Sequence, residues 1–308
     1  MREALLEAGG ALAAGTSRSR LHLPPANPFA TARQVEASST RIIPVEPAEP
    51  LDSAAFLDGI QRYSIEGWIG LVPVVRGYAA AAVLQRKAAE LKPRAVEREE
   101  FLAVELDRLE PKARDALESA GLALHDVGPS DERRHPILDI HRAAQVVERR
   151  RELAERAVCS SFLREQPDSW LIVDGSIADY AESPDRAHRL VGLVKSHETQ
   201  FLEGPDLQAA LTLPAGHRTT VFARGAGKRA TVFTWYLRLW PWEEHDLLHG
   251  LVRVERKPGD AAVEEATQVS RWILAERAPL TAPDGRWDRL VYPIQQVETY
   301  LRAQEVEA

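Results

Sequence analysis

Two aspartates in this sequence each follow a short apolar run and precede a glycine. Asp58 comes after Ala54–Leu57, and Asp174 comes after Leu171–Val173. A short apolar run of this kind indicates a buried strand, and the glycine leaves room for a ligand or a metal against the backbone. Such acids could hold a divalent cation if a sheet places them side by side. Asp-Gly between apolar residues is also the strongest short signal for a hairpin turn, so a turn is the alternative interpretation for either motif alone.

A long helix predicted for residues 136–164 supplies further carboxylates. Its buried stripe follows helical spacing and comprises Ile140, Ala144, Val147, Ala154, Val158 and Phe162. Glu148, Glu152 and Glu155 form a second stripe beside the first, so these side chains can point along a sheet rather than out to water. The alternative is that each of them only pairs with a neighbouring arginine of the same helix.

The remaining elements can be predicted in chain order. Residues 1–50 form an extended, Pro-rich arm, for which partner docking, a disordered linker and a strap on its own domain are the alternatives. A strand meander begins at the strand that carries Asp58, and residues 85–136 form a charged helical insertion. After Asp174 we expect a strand in 190–198, a hairpin in 219–242 with its tip at Arg224–Arg229, a strand in 249–257, and helices in 261–276 and 290–304.

Composition limits the possible functions. The chain has 308 residues, 44% of them apolar and 28% charged, which is typical of a globular protein. A net charge of −7 argues against binding nucleic acid by bulk electrostatics and is compatible with carboxylates around a metal. The single cysteine, Cys159, rules out an intrachain disulfide and a cysteine zinc site. The sequence has no signal-peptide pattern and no apolar run of roughly 20 residues, so we expect a cytoplasmic protein that does not enter a membrane.

The order of these elements predicts the fold. A strand with an aspartate, two further strands, a helix with a glutamate and a second strand with an aspartate occur in this order in the ribonuclease H-like α/β fold. In that topology the first and fourth strands are parallel neighbours, so Asp58 and Asp174 would stand side by side. Three converging carboxylates would repel one another unless a divalent cation neutralised them. Two such cations can activate water and stabilise the leaving oxygen in phosphodiester cleavage.

Three short motifs resemble the NurA nucleases. They are VDGS at 173–176, GLVKS at 192–196 and VYPIQQVETYL at 291–301, and the resemblance runs from about Ala54 to the C-terminus with a weaker match in 85–136. NurA enzymes are ribonuclease H-like and manganese-dependent, and they process DNA ends with the hexameric ATPase HerA. The resemblance therefore implies one nuclease domain over 51–308, two Mn2+ (or Mg2+) ions, DNA as substrate, a homodimer and a HerA-type translocase as partner.

The resemblance also assigns roles to residues. Asp58 and Asp174 correspond to metal ligands, and Glu155 or Glu152 corresponds to the helix carboxylate, with Glu155 nearer to the family's spacing. Lys195 would contact the scissile phosphate or the carboxylate cluster, although an exposed lysine at a strand end is the alternative. Many relatives carry a His or Asp after the Tyr-Pro of the terminal motif. This chain has glutamines there, and Glu298 is the candidate for that metal contact.

Other motifs are weaker. Gly225–Lys228 is not a P-loop, because Phe222 occupies the first glycine position and Arg229 replaces the Ser or Thr. His245 and His249 have helical metal spacing but lack the glutamate of a zincin motif. Four aromatic residues could stack on single-stranded bases, although alternation along a strand would bury half of them. They are Trp235, Tyr236, Trp240 and Trp242.

Two other classes of function remain open from the sequence. An ATP-binding phosphotransferase of the sugar and acetate kinase superfamily would share the fold and use Asp-Gly-Ser for phosphate. A second Gly-rich adenosine motif is not found, and the duplicated domain normally needs a longer chain. The other class is a non-catalytic subunit that regulates an ATPase.

Overall fold

The computed structural model describes residues 29–87, 90–119, 121–129, 135–180, 187–224, 232–277 and 287–305. These residues form two compact units. The first unit takes its described residues from 1–56, 86–89 and 167–295, and the second takes them from 57–85, 90–166 and 296–308. None of the helices within these ranges is long and apolar enough to cross a membrane.

The strands and helices of the described residues are numbered in chain order. The strands are β1 (Ala32–Gln34), β2 (Ile42–Pro44), β3 (Ala55–Ile69), β4 (Val72–Lys87), β5 (Glu90–Val104), β6 (Ala123–Asp126), β7 (Leu171–Asp174), β8 (Leu190–Val194), β9 (His217–Thr219), β10 (Phe222–Arg224), β11 (Val232–Arg238) and β12 (Leu251–Arg256). The helices are α1 (Pro111–Glu118), α2 (Pro136–Glu165), α3 (Gly204–Leu211), α4 (Asp260–Glu264), α5 (Ala266–Ala275) and α6 (Tyr292–Glu305). The predicted α/β class, with mixed sheets flanked by helices, is confirmed.

The first unit is built on a mixed sheet. Its strands lie in the order β1-β10-β11-β12-β8-β7, and β9 pairs with both β11 and β2. β7 and β8 are parallel, whereas β8, β12, β11 and β10 pair antiparallel in turn. The predicted hairpin is confirmed by the pairing of β10 with β11, and residues 225–229 of its tip lie outside the described residues. Asp174 is the last residue of β7, as the sequence predicts.

Helices cover both faces of this sheet. On one face, Tyr236 of β11 packs with Phe222 of β10, with Phe201 and with Ala210, which belongs to α3. Trp235 is fully buried, and its Nε1 donates a hydrogen bond to Ser270 Oγ of α5 at 2.9 Å. Consecutive residues of a strand point to opposite faces, so α3 and α5 lie on opposite faces of the sheet.

The part of the N-terminal arm within the described residues belongs to the first unit. β1 pairs with β10, and β2 pairs with β9. Glu36, between these two strands, forms a two-pronged ion pair with the buried Arg218, with both N–O distances 2.8 Å. Of the alternatives for the arm, a strap on its own domain is therefore correct from Phe29 onward, and residues 1–28 lie outside the described residues.

The second unit has strands in the order β3-β4-β5-β6. Only two residues, Gly70 and Leu71, join β3 to β4, and a connection this short requires an antiparallel pair. β5 and β6 pair in parallel. The predicted meander is confirmed, and Asp58 lies inside β3.

Helices flank the second sheet as well. Val75 and Phe101 belong to a buried cluster with Val147 of α2, whereas Val74 and Leu102 belong to another, against which α1 packs. Because these strand residues alternate, the two helices lie on opposite faces. The prediction of α2 over 136–164 is confirmed to within one residue.

The prediction of a helical insertion over 85–136 is partly wrong. Residues 111–118 are helical, but Glu90–Val104 is a strand. The outer part of this strand is charged and mostly exposed, which resembles a solvated helix in sequence. Its last four residues, Phe101–Val104, are buried on both faces of the sheet. Pairing with β4 and β6 supplies this burial, and it outweighs the local helix preference of the charged residues.

Candidate functional site

Asp58 lies within a strand rather than in a turn. The residue is 9% exposed, and its Oδ1 accepts a hydrogen bond from the backbone N–H of Gly59 at 2.7 Å. The hairpin-turn alternative for this motif is therefore wrong. Asp58 presents a buried, hydrogen-bonded carboxylate on β3 of the second unit.

Glu155 of α2 lies directly against the residue that follows Asp58. A Cβ atom placed on Gly59 would be 2.4 Å from Glu155 Oε1 and 2.9 Å from its Cγ. Glycine is thus required at position 59 for the glutamate to occupy this place. Glu155 is 6% exposed and pairs with Arg151 one turn earlier on the helix. The second unit therefore places Glu155 against the β3 backbone at the residue that follows Asp58.

The electrostatics of this site follow from the stripe of glutamates on α2. Burial alone would lower the pKa of the Arg151 guanidinium, but the carboxylates of Glu155, Glu152 and Glu148 raise it above its ordinary value. Arg151 therefore stays charged and offsets part of the negative charge of the buried Glu155.

The structure separates the alternative glutamates. The side chain of Glu152 is 41% exposed, and its Oε2 accepts a hydrogen bond from Arg156 at 3.4 Å. Glu148 is exposed. Only Glu155 of the three is buried beside the Asp58–Gly59 backbone. The geometry thus favours Glu155 over Glu152 as the carboxylate that accompanies Asp58, and the metal-binding role of either stays a prediction.

Asp174 and Lys195 form the other pair, in the first unit. β7 and β8 are parallel with Asp174 beside Leu193, so Asp174 and Lys195 project from the same face. Lys195 Nζ lies 2.9 Å from Asp174 Oδ1, and the two side chains are 18% and 27% exposed. Lys195 is therefore paired with the predicted catalytic aspartate, unlike the solvated strand-end lysine of the alternative interpretation.

Glu298, the remaining predicted ligand, lies on α6. Its Oε1 accepts hydrogen bonds from Arg302 Nε at 3.1 Å and from Arg302 Nη2 at 2.6 Å. This is an ion pair between residues four apart on a helix, with 23% of the Glu298 side chain exposed. A metal contact by Glu298 stays a prediction.

A buried charge cluster behind Asp174 was not predicted from the sequence. Glu255 of β12 has no exposed surface, and its Oε2 accepts hydrogen bonds from Ser176 Oγ at 2.7 Å and from the Ile177 N–H at 3.0 Å. Its Oε1 pairs with Arg253 and lies 3.5 Å from Arg224 Nη1. The alternating sequence of β12 predicts that these charged residues face solvent. The one available signal was Gly192 on the neighbouring strand, which leaves a space beside Glu255.

The other sequence motifs fall into structural roles or outside the described residues. Trp235 and Tyr236 are core residues, so they are not available for base stacking. The rings of His245 and His249 stack 3.9 Å apart in a region of turns, not on a helix. The Gly225–Lys228 motif lies beyond the part of the chain that the structure describes.

The carboxylates have the chemistry of a hard-cation site. Mn2+ and Mg2+ prefer oxygen ligands, and Asp58, Glu155 and Asp174 supply them. The absence of a side chain at Gly59 also leaves space for the Glu155 carboxylate, so this possible ligand is held in one place. Among the described residues, no three His, Cys, Asp or Glu side chains are grouped so that they could hold a metal ion. Asp58 and Glu155 belong to one unit and Asp174 to the other, so a shared site stays a prediction.

The chain is similar in fold to solved structures but matches no known family by sequence. No family model matches the chain, and no curated protein matches its sequence. The crystal structure of the NurA nuclease from Sulfolobus solfataricus is similar, with a TM-score of 0.44 and 9% identity over 85% of this chain and 84% of that one. At this identity and TM-score the similarity carries no statement about function.

Proposed function

We propose that this chain is a metal-dependent DNA nuclease of the NurA type, hydrolysing phosphodiester bonds. The observation that carries the proposal is the burial of the Glu155 carboxylate against Gly59, beside Asp58. Burying an ionised carboxylate is unfavourable unless it is paired or binds a cation. Arg151 pairs with Glu155, and this carboxylate lies against the backbone of Gly59, the residue that follows Asp58. A strand aspartate and a helix glutamate are the carboxylates that the order of the sequence elements predicts for the site.

In the proposed enzyme, Asp58, Glu155 and Asp174 hold one or two Mn2+ or Mg2+ ions, and Glu152 and Glu298 are the further candidates. The ions would supply an activated water and stabilise the leaving oxygen of a phosphodiester. An ionised carboxylate has two oxygens with about four acceptor positions. Asp174 can therefore accept a hydrogen bond from Lys195 and still act as a ligand.

Lys195 has two roles in this proposal. At 2.9 Å it neutralises part of the charge of Asp174 before substrate binds. Its ammonium group has three N–H donors, so it can contact a non-bridging phosphate oxygen while it keeps Asp174 in place. The lysine would then position the scissile phosphate next to the carboxylates.

The charge of the protein indicates a need for a partner. Phosphate contacts supply most non-specific affinity for DNA, and a chain of net charge −7 makes few of them by bulk electrostatics. A homodimer that receives the strand from a HerA-type hexameric translocase would meet this need. The proposed process is DNA end processing in repair or defence.

The direct test incubates linear DNA with the purified protein in Mn2+, Mg2+ or EDTA, with and without ATP. Cleavage in Mn2+ or Mg2+ but not in EDTA is expected. Asp174→Asn should abolish it, since the change removes charge and keeps shape, whereas Asp179→Asn, at an exposed position in the following loop, should leave it unchanged. Full activity of Asp174→Asn would disprove the assignment. ATP turnover without DNA loss would favour the phosphotransferase, and neither activity would favour a non-catalytic subunit.

Whether the two carboxylate sites share cations is a separate question. Residues that share a ligand give non-additive free energies of binding, and independent sites give additive ones. Mn2+ affinity should therefore be measured for Asp58→Asn, Asp174→Asn and the double variant. We expect the double variant to bind only slightly more weakly than either single variant. Strict additivity would show that Asp58 and Asp174 act apart.

A further inference from the structure

Glu255 is a fully buried carboxylate whose hydrogen bonds converge on one turn. The turn comprises residues 175–177 and follows Asp174 directly. Glu255 Oε2 accepts from Ser176 Oγ at 2.7 Å and from the Ile177 N–H at 3.0 Å. Ser176 Oγ in turn accepts from the Ala178 N–H at 3.3 Å. Both the side chain and the backbone of this turn are thus fixed to one carboxylate.

Two arginines lie against the buried carboxylate of Glu255. Arg253 pairs with Oε1, and Arg224 Nη1 lies 3.5 Å from Oε1 and 3.2 Å from Ser176 Oγ. A buried ion pair is often no more stable than apolar residues of the same volume, so the cluster contributes little to stability on balance. The cluster does fix the positions of Ser176 and Ile177, because hydrogen bonds hold donor and acceptor in a defined direction.

Gly192 allows the turn to lie on the sheet. Across the sheet Gly192 pairs with Val173 of β7 and with Glu255 of β12. A Cβ atom on Gly192 would be 2.8 Å from the carbonyl oxygen of Gly175 and 3.3 Å from the Cβ of Glu255. Any side chain at this position would push the turn away from Glu255.

The turn sets the place of Asp174. Val173, Gly192 and Glu255 are aligned across three strands, so Asp174, one residue later, points to the other face of the sheet. Gly175 has a φ of +107°, and its N–H donates to the Leu193 carbonyl at 2.9 Å. The backbone of Asp174 is therefore held on its C-terminal side by contacts made on the opposite face.

We infer that Glu255, through Ser176 and across Gly192, is a positioning residue that fixes the Asp174 carboxylate for cation binding. This inference rests on the proposed function, because it assigns a purpose to the place of Asp174. Partners that orient a metal ligand without touching the metal typically change metal affinity by 10–100-fold when they are removed.

The experiment measures Mn2+ affinity by calorimetry in the metal-free full-length protein. Ser176→Ala should weaken Mn2+ binding by about tenfold, and Ser176→Thr, which keeps the hydroxyl, should restore it. Ser64→Ala is the matched control, since Ser64 also donates to a glutamate, at 2.9 Å, but on an exposed part of β3. Gly192→Ala should weaken binding at least as much as Ser176→Ala, and Gly67→Ala, where a Cβ meets nothing within 4 Å, should not.

A double-mutant cycle separates positioning from a general loss of structure. In the Asp174→Asn background, Ser176→Ala should cause no further loss of Mn2+ affinity, because its effect passes through Asp174. An equal loss in both backgrounds would overturn the inference.

If the protein cleaves DNA and Ser176→Ala binds Mn2+ like the wild type, the inference fails and the nuclease stands. If the protein binds Mn2+ with the expected cycle but cleaves no DNA, the proposed function fails alone. A wild-type protein that does not bind Mn2+ overturns both.

Discussion

The carboxylate of Glu155 occupies the space where a side chain at position 59 would begin. Oε1 would be 2.4 Å from a Cβ on Gly59, a distance that non-bonded atoms do not reach. Gly59 also donates its N–H to Asp58. The glycine therefore links a strand carboxylate to a helix carboxylate.

Gly59→Ala should displace Glu155 while the fold stays intact. The methyl group forces the end of the glutamate side chain to move by about 1 Å, and a misplacement of this size can lower a rate by about 10²-fold. Cleavage rates and far-UV circular dichroism should be measured together with Gly67→Ala, a strand glycine with open space around its Cβ. Equal activity of both variants would show that the place of Glu155 does not matter for function.

The glutamates of α2 should differ in their importance. Glu155→Gln should lower Mn2+ affinity and cleavage strongly, because it removes the buried carboxylate and leaves Arg151 without its ion-pair partner. Glu152→Gln should have a small effect, because that side chain is 41% exposed and an exposed helix pair contributes only about 0.3–0.5 kcal/mol. A larger effect at Glu152 would place the functional carboxylate one turn earlier on the helix.

His197 should make stability depend on pH. Burial, with the nearby arginines, holds the pKa of His197 at about 4, below its ordinary 6.5, and Nε2 donates to the Leu251 carbonyl at 2.9 Å. Between pH 6.5 and pH 4, His197 is protonated in the unfolded chain but neutral in the folded protein. The free energy of unfolding therefore falls as the pH decreases through this range. Part of the side chain remains exposed, so the loss is at most about 3 kcal/mol.

Urea unfolding of wild type and His197→Gln at pH 7 and pH 4.5 measures this effect. Glutamine can keep an N–H donor for Leu251 but does not titrate, so the variant should lose less stability on acidification than the wild type. His141→Gln, at an exposed position of α2, is the control. The same pH dependence in all three proteins would exclude His197 as its source.

The N-terminal arm should be necessary for stability from Glu36 onward. Burial raises the pKa of Glu36, but hydrogen bonds from Arg218 and from the Val221 N–H outweigh it and hold the pKa below its ordinary value. Arg218 is 3% exposed, so Glu36→Ala would leave a buried charge unpaired and cost about 3 kcal/mol. Thermal unfolding should show a lower midpoint for Glu36→Ala than for Glu49→Ala, which lies at an exposed position.

The contacts between the arm and the first unit determine which deletion can test partner docking by the arm. Deleting residues 1–50 would remove β1, β2 and Glu36, and thereby destabilise the first unit. Deleting only residues 1–28 leaves those contacts in place. If the arm docks on a HerA-type ATPase, this shorter deletion should reduce association in size-exclusion chromatography while Mn2+-dependent cleavage of short single strands continues. Unchanged co-elution would assign the docking surface elsewhere.

The sequence predicted best where one physical rule acted alone. Apolar runs gave β7 and β8, and helical spacing gave α2. It failed at β5, where charged residues favour a helix locally but the burial of Phe101–Val104 requires pairing with distant strands. It also missed Glu255, because strand alternation assigns a charged residue to solvent and cannot show that helices cover both faces. The sequence could therefore predict which residues are candidates for the site. It could not predict the contacts that position them, because those contacts depend on strand register.

The division into two units has a consequence for synthesis of the protein. Most of the second unit is encoded in one stretch, 57–166, whereas the first unit uses segments from before and after it. β1 and β10 bring Ala32 beside Arg224, so this pairing closes a very long loop, and contacts so distant in sequence form slowly. On the ribosome, most of the second unit can fold first. β1 and β2 cannot pair until β9 and β10, which begin at His217, have been synthesised.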